Sequence, residues 1–171
     1  MGDPKRHRKK YSTPVHPWQK ARIEDEKQLI EEYGLKNKRE IWKMVSKLKS
    51  FSKQAKSLVA RTSTQGEREK QQLMSRLQSL NLLPEDADLD DVLGLETKDI
   101  MERRLQTIVF RKGLAKSMNQ ARQFIVHGHI LIGERKLTAP SYLVKKDEEN
   151  EVALVPGTNI EAAIGIEEAK K

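Results

Sequence analysis

Residues 102–133 read ERRLQTIVFRKGLAKSMNQARQFIVHGHILIG, two helical patterns joined by a short link and running into a strand. Thr97 reads as the N-cap, with Asp99 in the first turn, of a helix that continues to Lys112 and is stopped by Gly113. Stepping about 100° per residue from Arg103 puts Arg111 and Arg104 at about 80° and 100°, with Leu105, Ile108 and Val109 between about 140° and 240°. The three arginines are therefore expected on one flank, beside a buried stripe. Ser117 begins a second helix whose Met118, Ala121, Phe124 and Ile125 make one apolar face. Asn119, Gln120, Gln123 and His127 point outward, with Arg122 at the edge, and the Gly113–Lys116 link holds the two helices close. After Gly128 the pattern changes to short strands: Ile130–Ile132, a turn through Gly133 to Lys136, then Leu137, Tyr142–Val144 and Val152–Val155. Two helices on a small sheet make an α+β unit.

Upstream, the chain reads as helical and basic. A short helix is expected from about Ala21 to Tyr33, ended by Gly34. Asn37 caps a longer one over residues 38–60, in which Ile41, Val45, Leu48, Ala55 and Leu58/Val59 recur at helical spacing and lysines fill most of the rest. Trp42 and Phe51 read as packing residues. Residues 62–66 read as a loop before a third helix carrying Leu73, Leu77 and Leu80, which Asn81 and Pro84 end. The acidic run from Glu85 to Asp91 lacks the glycine and the ligand spacing of a calcium loop, and is read as helix capping and solvation.

Charge is segregated along the 171 residues. Residues 1–61 hold 17 Lys/Arg against 7 Asp/Glu, 62–101 hold 4 against 9, 102–146 hold 10 against 2, and 147–171 hold 2 against 7. Two basic blocks of +10 and +8 thus alternate with two acidic blocks of −5, giving the net +8. Lys and Arg that meet phosphates release condensed counterions, so such blocks point to a polyanion, and to nucleic acid in particular. A membrane surface is not expected as the partner, because no helix combines the cations with a clean apolar face. With no cysteine, disulfides, thiolate zinc sites and cysteine nucleophiles are excluded from these residues. No apolar run reaches the length of a membrane span and the basic N-terminus shows no signal-peptide stretch, so a cytoplasmic location is expected. His127 and His129 flank Gly128, but the ligands for a metal are not nearby, and neither a metal nor another cofactor is expected.

The run 102–133, followed by APSYLV at 139–144, resembles the RNA-binding module named after small-subunit ribosomal protein four. Gly113-Leu114-Ala115, Ala121-Arg122 and Gly128-His129-Ile130 carry the likeness together. Outside the module, the basic GDPKRHRKKY start, NKREIW at 37–42 and the LGL-then-acidic stretch at 93–99 resemble that ribosomal protein family in its archaeal and eukaryotic form. The resemblance implies a non-enzymatic, primary binder of small-subunit ribosomal RNA that helps organise the five-prime domain during assembly and bears on translational accuracy. It also implies a place near the side where messenger RNA enters, contact with small-subunit ribosomal protein five, and no homo-oligomer. The N-terminal cysteine zinc site of many bacterial members cannot exist here, and the turn usually written Asn-Gly reads Gly133-Glu134-Arg135.

The expected organisation is a basic extension (1–20) that orders on its partner, a helical ribosomal-RNA-binding part (21–101), the module (102–156) and an acidic tail (157–171). Phosphate contacts are expected from Arg103, Arg104, Arg111, Lys112, Lys116 and Arg122, and hydrogen bonds from Ser117, Asn119, Gln120 and Gln123. His127, Gly128 and His129 join them, with Lys5, Arg6, Arg8, Lys9 and Lys10 from the extension and Lys38, Arg39, Lys43 and Lys47 from the long helix. Few aromatic residues are present, and they are scattered, so recognition is expected to rest on the shape and phosphate positions of folded RNA. Three alternatives compete. A helix-turn-helix DNA reader would lack the strands. An RNA-modifying enzyme would need a catalytic domain that residues 1–101 do not supply. A ribosome-associated stress or recycling factor would wash off subunits in salt.

Overall fold

The computed structural model describes Gly2 and residues 8–61 and 63–156. Lys5 and Arg6 of the extension and the whole acidic tail 157–171 lie outside the described residues. Helix α1 spans Lys20–Glu32 and α2 Lys38–Val59. Between them Gly34 takes φ +55°. Helix α3, Thr64–Ser79, begins inside the stretch expected to be a loop, because Ser63 caps it by accepting the Gly66 amide at 3.2 Å. Asn81 then takes φ +52° and ends the run. The acidic stretch builds α4, Leu89–Gly94, where the Asp91 carboxylate accepts the Asp88 amide at 2.8 Å in a capping box.

Two hydrophobic cores result. The first is built from α1 to α4 and the short helix that follows, with Ile41, Phe51, Ala55, Leu77, Val92, Ile100 and Met101 among its buried members. Val59, expected on the apolar stripe, is exposed instead. The second core lies in the C-terminal unit and gathers Leu105, Val109, Ala121, Ile125, Ile130, Val144 and Val152. Met118 and Leu143 of that unit also pack on the first core, so the two are joined.

One expected helix is two. Helix α5, Thr97–Glu102, is capped by Glu96 rather than Thr97, and α6, Leu105–Arg111, starts afresh after a break at Arg103–Arg104. The cause is the returning chain. The Val144 amide donates to the Arg103 carbonyl at 2.9 Å, the Leu105 amide donates to the Tyr142 carbonyl at 2.8 Å, and Arg104 forms a lone antiparallel bridge with Leu143. Arg104 therefore holds ψ 140°, an extended value, and the helix cannot continue through it. Residues 142–144, expected as a strand of the sheet, are used up in this bridge. Helix α7 spans Met118–Val126, and the sheet has three strands in the order β2-β1-β3: β1 Ile130–Ile132, β2 Arg135–Lys136 and β3 Val152–Leu154. Both pairings are antiparallel, with Ile132 opposite Arg135 on one side and Val152 on the other. A single-turn helix, α8, Lys146–Glu149, precedes β3.

Candidate nucleic-acid interface

Helix α2 sorts its residues by angle. Taking Glu40 as zero, Met44, Leu48 and Ile41 fall between about +40° and +100°, on the core side, whereas Lys47, Lys43 and Arg39 fall between about −20° and −100°. Arg39 and Lys43 are exposed and Lys47 is half-buried, where burial and then the Arg76 charge pull its ammonium below the usual lysine range. Lys38 turns away and pairs with Glu26 at 3.2 Å. Further round, at about −120° and −160°, stand Ser46 and Trp42.

These two receive the N-terminal segment. The Ser12 amide donates to Ser46 Oγ at 2.9 Å and the Tyr11 ring lies 6.4 Å from that of Trp42. Arg22 donates to the carbonyls of His16 (3.0 Å) and Pro17 (2.8 Å). Residues 11–17 thus lie against the protein's own helices. Arg8, Lys9 and Lys10 lie exposed just before the Ser12 anchor, whose partner Ser46 is one helical turn from Lys43.

At the zero of this scale α2 meets α7. Arg122 grips Glu40 with two nitrogens, Nη2 to Oε1 at 2.8 Å and Nη1 to Oε2 at 3.2 Å, and Arg104 donates to Glu40 Oε2 at 2.5 Å. Burial alone would push the Glu40 carboxyl up, but the hydrogen bonds from Arg122 and Arg104 outweigh it and hold the group below the usual carboxylate range. Gln106, fully buried, adds an amide nitrogen placed within 3.0 to 3.2 Å of the carbonyls of Tyr33, Gly34 and Met118. Its oxygen faces Arg122 at 3.3 Å. Beyond Arg122, on the outer side of α7, Asn119 and Gln123 are exposed. A strip of cations and hydrogen-bonding side chains therefore runs from Arg8–Lys10 over the flank of α2 and across the Glu40 link to α7.

The three arginines expected on one flank part company at the helix break. Arg104 is 1% exposed and turns inward to Glu40. Arg103, 8% exposed, donates to Glu149 at 2.8 Å and to the Val144 carbonyl at 3.2 Å. Both are corrected from surface contacts to internal ties, because each guanidinium is enclosed with a carboxylate of a distant element. Arg111 keeps 63% side-chain exposure but pairs with Glu102 at 2.5 Å, and the Glu102 carboxylate also accepts from Tyr33 Oη at 2.8 Å. Burial, then this hydrogen bond, drives the Tyr33 phenol well above its ordinary pKa, so it stays a donor. Lys112 is exposed in the same cleft, which Asp99, Glu102 and Glu149 also line.

Lys116 is exposed, and the turn around it is held by α7's own cap: Ser117 Oγ accepts the Gln120 amide at 3.2 Å and Gln120 Oε1 accepts the Lys116 amide at 2.7 Å. The expected RNA-facing oxygens of Ser117 and Gln120 are therefore engaged in capping. Gly128 takes φ +73° at the end of α7, where it turns the chain into β1. His127 is exposed with its ring stacked 6.2 Å from His129, which meets Phe124 edge-on at 6.3 Å. Among the described residues no group of three or more His, Asp, Glu or Cys side chains is placed to hold a metal ion. No helix among the described residues is long and apolar enough to cross a membrane.

Glu40 and Gln106 were not singled out from sequence, yet both left a signal. Glu40 is the sole carboxylate between Tyr33 and Gly66, and Gln106, with Thr107, interrupts the apolar run of Leu105, Ile108, Val109 and Phe110.

Residues 103–150 match the S4 domain family. Over nearly the whole chain the sequence is similar to small ribosomal subunit protein uS4 of several archaea. It is 54% identical to that of Methanococcus aeolicus over 159 residues, covering 92% of this chain and 90% of the relative. It is 52% identical to that of Hyperthermus butylicus (91% and 89% covered) and 49% identical to that of Ignicoccus hospitalis (91% and 94%). Identity at this level along both basic blocks and the acidic stretch between them leaves one assignment: the chain belongs to the uS4 family of ribosomal proteins, a structural rather than an enzymatic family, and carries an S4 RNA-binding domain.

Proposed function

We propose that this protein is a structural component of the small ribosomal subunit in the cytoplasm, and that it holds folded small-subunit ribosomal RNA against the strip described above. The observation that carries this reading is the continuity of the strip: exposed cations of the N-terminal segment and α2 adjoin the exposed polar face of α7 across one buried ion-pair link. Arg8, Lys9, Lys10, Arg39, Lys43, Lys47 and Lys116 supply charge to phosphates, and Asn119, Gln123 and His127 add hydrogen bonds to phosphate, sugar or base edges, while Arg122 is held in the Glu40 link. Arg111 and Lys112 contribute less, since three carboxylates share their cleft. Residues 21–101 and 102–156 act as the two halves of one clamp.

Membership of the uS4 family supports the finer reading. In it the protein binds early in assembly, stands near the side where messenger RNA enters, touches ribosomal protein five, influences accuracy and is present as a single copy. Mass spectrometry of small subunits purified through high salt tests the assignment. The expected result is near one-to-one recovery with the other subunit proteins. Loss of the chain to the wash would instead fit a transient ribosome-associated factor.

A further inference from the structure

The two tryptophans have opposite fates. Trp42 is half-buried and donates its indole N–H to Glu26 at 2.9 Å. Trp18 is 90% exposed. A large apolar ring left in water needs a reason, because tryptophan is on average well buried. Looseness of the chain is not that reason. The carbonyls of His16 and Pro17 both accept from Arg22, which is itself paired with the buried Glu26, and Glu26 also takes Trp42 and Lys38. Pro17, whose φ its ring fixes, precedes Trp18, and Gln19 caps α1 directly after it. The indole is thus displayed by a backbone fastened on both sides.

The chemistry around it favours a nucleobase. Residues 8–20 contain Arg8, Lys9, Lys10 and Lys20 and no carboxylate, with Lys20 paired to Glu24 of α1 at 3.8 Å. The segment is anchored at Ser46, one helical turn from Lys43, so RNA held by Arg39 and Lys43 passes close to its start. A planar ring beside bound phosphates offers a face on which an unpaired base stacks, whatever its sequence. We propose that Trp18 is such a stacking anchor, fixing one extruded base of the ribosomal RNA while the cations hold the backbone. One ring is not the platform of a single-strand reader, so recognition elsewhere still follows folded shape. Val15, 87% exposed, has no face to stack and serves as the internal comparison.

The proposal rests on the ribosomal-RNA reading, and its test separates the two. The full chain, as W42F so that Trp18 is the only indole, is titrated with a transcript of the five-prime domain of small-subunit ribosomal RNA, with complex formation followed in parallel by filter binding. Trp18 emission is expected to be quenched as the complex forms. In the otherwise native chain, W18A is expected to lose affinity by about 5- to 100-fold, W18F to keep most of it and V15S to bind as the native protein does. A complex of unchanged affinity with W18A, or with the ring unquenched, overturns the stacking role and leaves RNA binding intact. Quenching that arises only when other subunit proteins are added makes a protein the occupant and overturns it too. Failure of the native chain to bind the transcript removes both readings.

Discussion

Glu40 shows how much one carboxylate decides. It lies alone in a cationic stretch, and two arginines from the C-terminal unit converge on it, one of them wholly enclosed. Removing a partner from a buried ion pair leaves the other charge without compensation, so E40Q is expected to cost about 3–5 kcal/mol of stability, read as a lower urea midpoint. R104A acts in the same direction through the fold, which is why it reports on stability and not on RNA contact. Acid acts on the same group. Its folded pKa lies below the ordinary 4.5, as does that of Glu26, whose burial is outweighed by hydrogen bonds from Trp42, Lys38 and Arg22. Depressed carboxylates stabilise the fold above their unfolded pKa and lose that contribution as pH falls through the folded value. Thermal melting should therefore be flat near neutrality and fall below about pH 4.5, less steeply in E40Q; an equal acid slope in both proteins would deny Glu40 this role.

At the scale of elements, the close approach of the two units depends on the turn after α1. Gly34 has φ +55°, and a Cβ there would stand 2.7 Å from the Met118 Cβ at the start of α7. Gly128 has a similar φ, +73°, but its nearest neighbour would be 3.9 Å away. Substitution by alanine should cost about 1–2 kcal/mol at either site for the left-handed backbone, and about 1–3 kcal/mol more at Gly34 for the overlap. Denaturant midpoints that rank G128A below G34A would contradict the packing described. Apolar periodicity together with the flanking Gly34, Asn37 and Ser117 placed α1, α2 and α7 to within a residue or two, whereas α3 starts three residues earlier than expected, at Thr64. The break at Arg103–Arg104 was not legible. TKDIMERRLQTIVFRK contains no Pro or Gly, and only the backbone bonds from residues 142–144, some forty positions later, interrupt the helix. The misplaced arginines follow from that one error. Without the break they share a flank, and with it they face Glu149, Glu40 and Glu102 in turn.

For the whole molecule, the alternating charge blocks were readable from composition, and they pointed to a polyanionic partner. Which cations remain free was not, since that depends on carboxylates brought in from other elements. Arg39 and Lys43 lie on the exposed flank of α2 and Arg111 beside Glu102, so their effects on binding should differ although their exposure is similar. The most direct measurement is the salt dependence of binding between the full chain and the five-prime-domain transcript, comparing the native protein with R39A/K43A and with R111A. A steep native slope of log K against log salt is expected, flattened by about two units in R39A/K43A and by less than one in R111A. A shallow native slope, or one that R39A/K43A leaves unchanged, would contradict the cationic strip on which the account rests.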